Sequence, residues 1–233
     1  MRKLKNIKVN GAIVPNDDKW IYNLFDIEAV CPKDIEKELD DAKNAKNEEV
    51  TIQINSGGGD IGAGNEISYL IGQYPGAVTA DITGYCCSAA TLISCAADSA
   101  RMIPSALFMI HNVSGAACGD YNVMDHKSGV LKTANEAIAA AYCKKTGKTA
   151  EELLDLMNSE TWMNAEKAKN YGFIDEIIES KSEKPRLLNS APGQLLSDST
   201  LDKIRNEFKQ KKKADEKVAS AKLKLLKMKG EIL

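Results

Sequence analysis

Val50, Ile52 and Ile54 alternate with Thr51, Gln53 and Asn55. This two-residue period predicts a strand, which ends at Ser56-Gly-Gly-Gly59. From Ile61 to Tyr74 the apolar anchors Ile67, Leu70 and Ile71 switch to helical spacing, and the stretch from Gly72 to Gly76 closes that helix. Val78 to Thr83 predicts the next strand, with Gly84-Tyr85 turning the chain into a helix of small residues, Ser88 to Ala97, which must lie close against its neighbours. Ala106 to His111 predicts a third strand, reached through Pro104. Gly119 to Lys145 predicts a long helix whose Ala-rich second half faces protein, and Thr149 to Met157 a shorter one. A helix at Ala165 to Tyr171 and a strand at Phe173 to Ile178 complete the body, while an opening strand around Ile7 to Val14 and a helix from Pro32 to Ala45 precede it. Such repeated alternation predicts an α/β layer on a mainly parallel sheet.

The composition fits that reading. In 233 residues, 43% are hydrophobic and 27% charged, which excludes a collagen, a disulfide mini-protein and a wholly disordered chain. Six cysteines in so long a chain are sparse, and no apolar leader follows the basic start, so a cytoplasmic protein with reduced thiols is expected. The longest apolar stretch, Cys86 to Ala97, falls short of the roughly 20 residues that span a bilayer, so no membrane association is expected.

Charge divides the chain. Residues 1–180 carry 17 Lys/Arg against 26 Asp/Glu, whereas residues 181–233 carry 14 against 7, a basic excess hidden by the overall net charge of -2. A Pro/Gly/Ser-rich run containing Ser180-Lys-Ser-Glu-Lys-Pro185 and Asn189-Ser-Ala-Pro-Gly193 marks the break. The expected organisation is a domain over 1–180, a linker over 181–198 and a basic amphipathic helical tail over 199–233. In that tail Val218, Ala221, Leu225, Met228 and Ile232 form one apolar stripe, suited either to a solvated helix or to docking on a partner. No aromatic follows Phe208, so a nucleic-acid interface is not expected.

Candidate chemistry lies in three separated segments. The glycines of Asn55-Ser-Gly-Gly-Gly59 permit close backbone approach and positive φ, but the loop has neither the Lys of a phosphate-binding loop nor spaced dinucleotide-binding glycines. Gly84-Tyr-Cys-Cys-Ser-Ala-Ala90 puts Ser88 at a helix start, where free N–H groups can hold an oxyanion, although a serine there can equally be a plain helix cap. His111 ends an apolar strand and could serve as a general base, whereas His126 sits in a polar helical stretch and is expected to be solvated. Cys86 and Cys87 are the competing thiol nucleophiles and are expected to pack as small hydrophobes. The cysteine spacing does not suit a zinc site, and no cofactor is expected.

These residues carry a resemblance. Leu24-Phe-Asp-Ile-Glu28, Ile54-Asn-Ser-Gly-Gly-Gly-Asp60, Gly84-Tyr-Cys-Cys-Ser-Ala-Ala90, Met109-Ile-His-Asn112, Glu160-Thr-Trp-Met163 and Tyr171-Gly-Phe-Ile-Asp-Glu176 resemble, in order, the motifs of the Clp protease proteolytic subunit superfamily. They are most similar to those of phage and prophage head maturation proteases. The resemblance implies the stacked βαβ units of a Clp protease/crotonase-like fold. It also implies Ser88 as nucleophile, His111 as general base and Glu160 as the orienting acid, with Asp155 the alternative. Gly58 and Ala89 would supply the oxyanion-hole N–H groups, and Gly57 stands where housekeeping members have Pro. It further implies a serine endopeptidase acting on protein substrates, capsid or scaffold proteins in particular, as a homo-oligomeric ring, heptameric or stacked, with any Clp ATPase a separate chain. A crotonase-type acyl-CoA enzyme and a non-catalytic assembly protein are the competing readings.

Overall fold

The computed structural model describes residues 4–45 and 49–178. The linker and helical tail expected over 181–233 lie outside the described residues. Strand β1 (Leu4–Ile13) is followed by a short helix α1 (Lys19–Leu24), strand β2 (Ala29–Val30) and helix α2 (Pro32–Asn44). The centre comprises β3 (Glu49–Gly59), α3 (Ile61–Gly72), β4 (Ala77–Cys87) and α4 (Ala89–Ala96). Then come β5 (Ser99–Met102), β6 (Leu107–Ile110), α5 (Tyr121–Thr146), α6 (Ala150–Asn158), β7 (Thr161–Met163), α7 (Ala165–Tyr171) and β8 (Glu176–Ile177).

The sheet runs β2-β1-β3-β4-β5-β8 with parallel neighbours, so the expected α/β class and parallel sheet are what the chain adopts. β6 joins β4 in parallel and carries β7 antiparallel on its other edge. Ile52, Ile54, Ala80 and Ile82 are all fully buried, and Thr51 on the opposite face of β3 is buried too. Beyond Thr51 that face opens, with Gln53 half-buried and Asn55 exposed, so the alternation at Val50 to Asn55 sets one face in the core and leaves the other partly in water. Along α2 the stripe Ile35, Leu39 and Ala42 packs into the core, and Gly64 lets α3 come close to α4, since a Cβ there would stand 3.1 Å from that of Ala89. Among the described residues no helix is long and apolar enough to cross a membrane.

The strand expected over Phe173 to Ile178 shortens to Glu176–Ile177, and two further boundaries that differ from expectation lie next to Ser88. β3 does not stop at Ser56 but continues to Gly59, because Ala12 and Ile13 of β1 pair with Gly58 and Gly59. β4 does not turn at Gly84-Tyr85: it pairs with β5 over Thr79–Ile82, then with β6 over Tyr85–Cys87. At this change of partner the β3–β4 register moves from Ile54↔Ile82 to Ser56↔Cys86, so β4 bulges. The Asn55 Oδ1 fills the bulge and accepts from the Tyr85 N–H at 3.0 Å. A Cβ on Gly84 would lie 2.2 Å from that oxygen, so glycine here makes room for a side chain from the neighbouring strand.

Candidate active site

Ser88 follows directly on β4, with φ 55 and ψ -126, a conformation that residues with a Cβ rarely adopt. Its backbone is tied on both sides. The Ser88 N–H donates to the Met109 carbonyl on β6 at 3.0 Å, and the Ser88 carbonyl accepts from the Thr91 N–H at 2.9 Å and from the Thr91 Oγ1 at 2.6 Å. The β4–β6 register, which sets Cys87 opposite Met109, places this residue beside the end of β6 and therefore beside His111.

The Ser88 side chain makes no capping bond to α4. Instead its Oγ lies 2.9 Å from the His111 Nε2, so a plain helix cap is not its role here. With the ring proton on Nδ1, Nε2 accepts from the Ser88 hydroxyl and can receive its proton. His126 lies exposed on α5, away from this pair. Cys86 and Cys87 are buried in the sheet, where burial pushes the Cys87 thiol up to about 11.

Beside Ser88 and His111 is a narrow recess of about 10 Å³, walled mainly by Ile61, Leu92, Val113 and Ile138. The volume suits about one water, and the lining suits an apolar group once the recess opens. Asn112 also lines it, and its Oδ1 is a buried acceptor with no hydrogen-bond partner.

Ala89, the first residue of α4, lines the same recess, and its first-turn N–H points out of the positive end of the helix. Gly58 is adjacent but differently used. Its N–H donates to the Ser56 Oγ at 3.1 Å, which in turn donates to the Gly11 carbonyl at 2.6 Å, so the Gly58 amide faces β1 rather than Ser88. What Gly58 contributes is space: a Cβ there would lie 2.7 Å from the Ser88 Cβ and 3.0 Å from the Ala89 nitrogen. In the next peptide, Ile13 pairs with Gly59 and its carbonyl takes the Asp60 N–H at 2.8 Å. That pairing turns the Gly58 carbonyl toward β1, and the trans peptide turns the Gly59 N–H the opposite way, to the β4 side. Gly59, not Gly58, therefore offers the amide on the side of Ser88. The Gly-rich run was visible in the sequence, but the orientation of successive amides depends on the pairing with β1.

Glu160 lies in the turn between α6 and β7 with φ 43, another positive-φ residue with a side chain. Its Oε1 accepts from the Trp162 Nε1 at 3.2 Å, and no hydrogen bond joins it to His111. Asp155 is exposed on α6 and does not meet the ring either. The structure thus brings together Ser88, His111 and Ala89, while the orienting carboxylate stays apart. Among the described residues no group of His, Cys, Asp and Glu is placed to hold a metal ion.

Comparison with known proteins gives a consistent picture. The Clp protease family model matches residues 31–181. The proteolytic subunit 3 of the ATP-dependent Clp protease from Rhizobium etli is 28% identical over 60% of this chain and 73% of its own length. Subunit 1 from Chlamydia abortus is 32% identical over 55% and 69% respectively. A solved ClpP1 mutant from Listeria monocytogenes superposes with a TM-score of 0.63 at 25% identity, covering 76% of this chain and 92% of that one. Since the matched span contains the Gly-rich end of β3, Ser88, His111 and the Glu160 turn, the chain belongs to the Clp protease family and is a serine-type peptidase.

Proposed function

We propose that this chain is a serine endopeptidase that cleaves peptide bonds through an acyl-enzyme, with Ser88 as nucleophile and His111 as general base. The observation that carries the reading is the 2.9 Å contact between the Ser88 Oγ and the His111 Nε2. His111 takes the hydroxyl proton as the Ser88 oxygen attacks the carbonyl, then delivers it to the leaving amine. Water, activated by the same imidazole, hydrolyses the ester and restores the serine. The oxyanion would lie between the Ala89 N–H and the Gly59 N–H, each such donor being worth about 3 kcal/mol of barrier. Glu160 would orient the ring once its carboxylate leaves Trp162.

For substrates we propose capsid or scaffold proteins of a phage or prophage, a reading that rests on the ordered motifs shared with head maturation proteases. We further propose a homo-oligomeric ring, for which the exposed Tyr121, Val123, Met124 and Val130 on α5 offer an apolar surface, with a separate Clp ATPase as a partner of the assembled ring. A crotonase-type acyl-CoA reaction has no use for a hydroxyl held on an imidazole, so the serine–histidine contact favours the peptidase.

The test is to treat the full chain with a fluorophosphonate and locate the adduct by mass spectrometry. Modification at Ser88 that is lost in Ser88→Ala and strongly slowed in His111→Ala supports the reading, and an unmodified Ser88 rejects it. Intact-mass analysis of a capsid protein co-expressed with the wild type or with Ser88→Ala tests the substrate class, expected as a shortened product only with the wild type.

A further inference from the structure

Behind Ser88 a buried hydroxyl chain runs to helix α5. The Thr91 Oγ1 lies 2.6 Å from the Ser88 carbonyl and also 2.6 Å from the Tyr142 hydroxyl. Thr91 is fully buried and Tyr142 is 2% exposed, so no bulk water competes for these bonds. Their direction is fixed by counting protons. A carbonyl can only accept and a threonine hydroxyl has a single hydrogen, so Thr91 donates to Ser88 and Tyr142 must donate to Thr91.

The Ser88 carbonyl shares a planar trans peptide with the Ala89 N–H, so whatever holds the carbonyl also aims that N–H in the opposite direction. Two donors from Thr91, its N–H and its hydroxyl, converge on this one carbonyl. The peptide held in this way belongs to a residue at φ 55, which relaxes unless its surroundings restrain it.

We infer that Thr91 and Tyr142 are positioning residues that hold the Ser88–Ala89 peptide in its strained orientation, aiming the Ala89 N–H at the oxyanion and the Ser88 hydroxyl at His111. Thr91 does not line the recess beside Ser88, whereas the Tyr142 side chain forms part of its wall. Tyr142 acts through Thr91, and Thr91 acts through the peptide plane. The ring of Tyr142 is itself fixed edge-on against Phe173, with centroids 5.4 Å apart, so the hydroxyl that begins the chain is anchored by packing. The inference deepens the peptidase reading and rests on it.

The full chain is labelled with a fluorophosphonate at several probe concentrations, which separates the maximal labelling rate from the half-saturating concentration. Thr91→Val keeps the shape and removes the hydroxyl, and is expected to reduce the maximal rate by roughly ten- to a hundredfold with half-saturation unchanged. Thr91→Ser, which restores the donor, returns the rate to near the wild-type value. Tyr142→Phe leaves the direct Thr91 bond in place and gives a smaller drop, about three- to tenfold. A Thr91→Val maximal rate equal to wild type, a change confined to half-saturation, or failure of Thr91→Ser to restore the rate overturns the inference while leaving the peptidase reading intact. If circular dichroism shows Thr91→Val unfolded, Tyr142→Phe decides by the same criterion, with an unchanged rate counting against the inference. A wild-type chain that takes no label at Ser88 overturns both.

Discussion

Asn112 Nδ2 donates to Asn158 Oδ1 across 2.8 Å, joining the residue after His111 to the last residue of α6. The turn that carries Glu160 is thereby tied to the strand end that carries the proposed base, while the Glu160 carboxylate itself rests on Trp162. The carboxylate and the imidazole share one neighbourhood without sharing a hydrogen bond.

We propose that Glu160 completes a triad when its carboxylate leaves Trp162 for the His111 ring. We expect Glu160→Gln to slow fluorophosphonate labelling by about a hundredfold or more, the kind of loss that follows when an orienting carboxylate is neutralised. Asp155→Asn, altered on an exposed face of α6, is expected to label like the wild type. Trp162→Phe removes the competing donor and is expected to label no more slowly than wild type. Slow labelling by Asp155→Asn together with normal labelling by Glu160→Gln would move the role to α6.

Gly58→Ala tests the division of labour within the glycine run. The added methyl would stand 2.7 Å from the Ser88 Cβ and 3.0 Å from the Ala89 nitrogen, covering the donor, and its φ of +94 disfavours any side chain. Labelling of Ser88 should fall below detection, with a lower melting temperature from a backbone strain of about 1–2 kcal/mol. Gly57→Ala is the control: no atom lies within 4 Å of its added Cβ, and both labelling and melting should remain at wild-type values. Gly58→Ala labelling at the wild-type rate would show that the Ala89 N–H is not the donor.

Much of this site could be read from the sequence because the signals were local. Asp60, Asp120, Thr149 and Asn164 each accept from a first-turn N–H, and Gly147 and Gly172 end α5 and α7 in the left-handed conformation, so most of the predicted helices fall close to their observed ends. The short strands β5 and β7 carried no comparable signal: Ser99–Met102 and Thr161–Met163 are strands because β4 and β6 pair with them. Gly84 read as a turn because its real function, to admit the Asn55 side chain, belongs to another strand. Ser88 was legible as a helix-start hydroxyl and His111 as a strand-end imidazole of suitable chemistry. Which glycine amide faces them, and where the Glu160 carboxylate points, depends on β1 and on Trp162, contacts that no local pattern encodes.

The cysteines give a prediction that separates thiol from hydroxyl chemistry. Burial pushes Cys95 up to about 12 and Cys87 up to about 11, and Cys86, fully enclosed, is also raised by burial. None is a thiolate at neutral pH, and the thiolate is the nucleophile. Iodoacetamide on the native chain should alkylate the exposed Cys118 and leave Cys86, Cys87 and Cys95 untouched until denaturant is added, with fluorophosphonate labelling unaffected. Rapid native alkylation of Cys87 accompanied by loss of labelling would reopen the case for a thiol nucleophile.

Acid stability should depend on Asp175. Burial pushes its carboxyl up, but the Lys145 ammonium at 2.8 Å and the Ala100 N–H at 2.7 Å more than offset this, holding it below its ordinary 3.8. These bonds tie the approach to β8 onto α5 and β5. A carboxylate whose folded value is depressed stabilises the fold above its unfolded value, and that contribution disappears as pH falls through the folded value. Asp175→Asn should therefore lower the urea midpoint near neutral pH, with the gap from wild type closing as pH drops below about 4. Urea titrations at about pH 7, 5 and 3 measure this. A gap that stays constant across that range would mean that the aspartate acts through packing or neutral hydrogen bonding rather than through its charge.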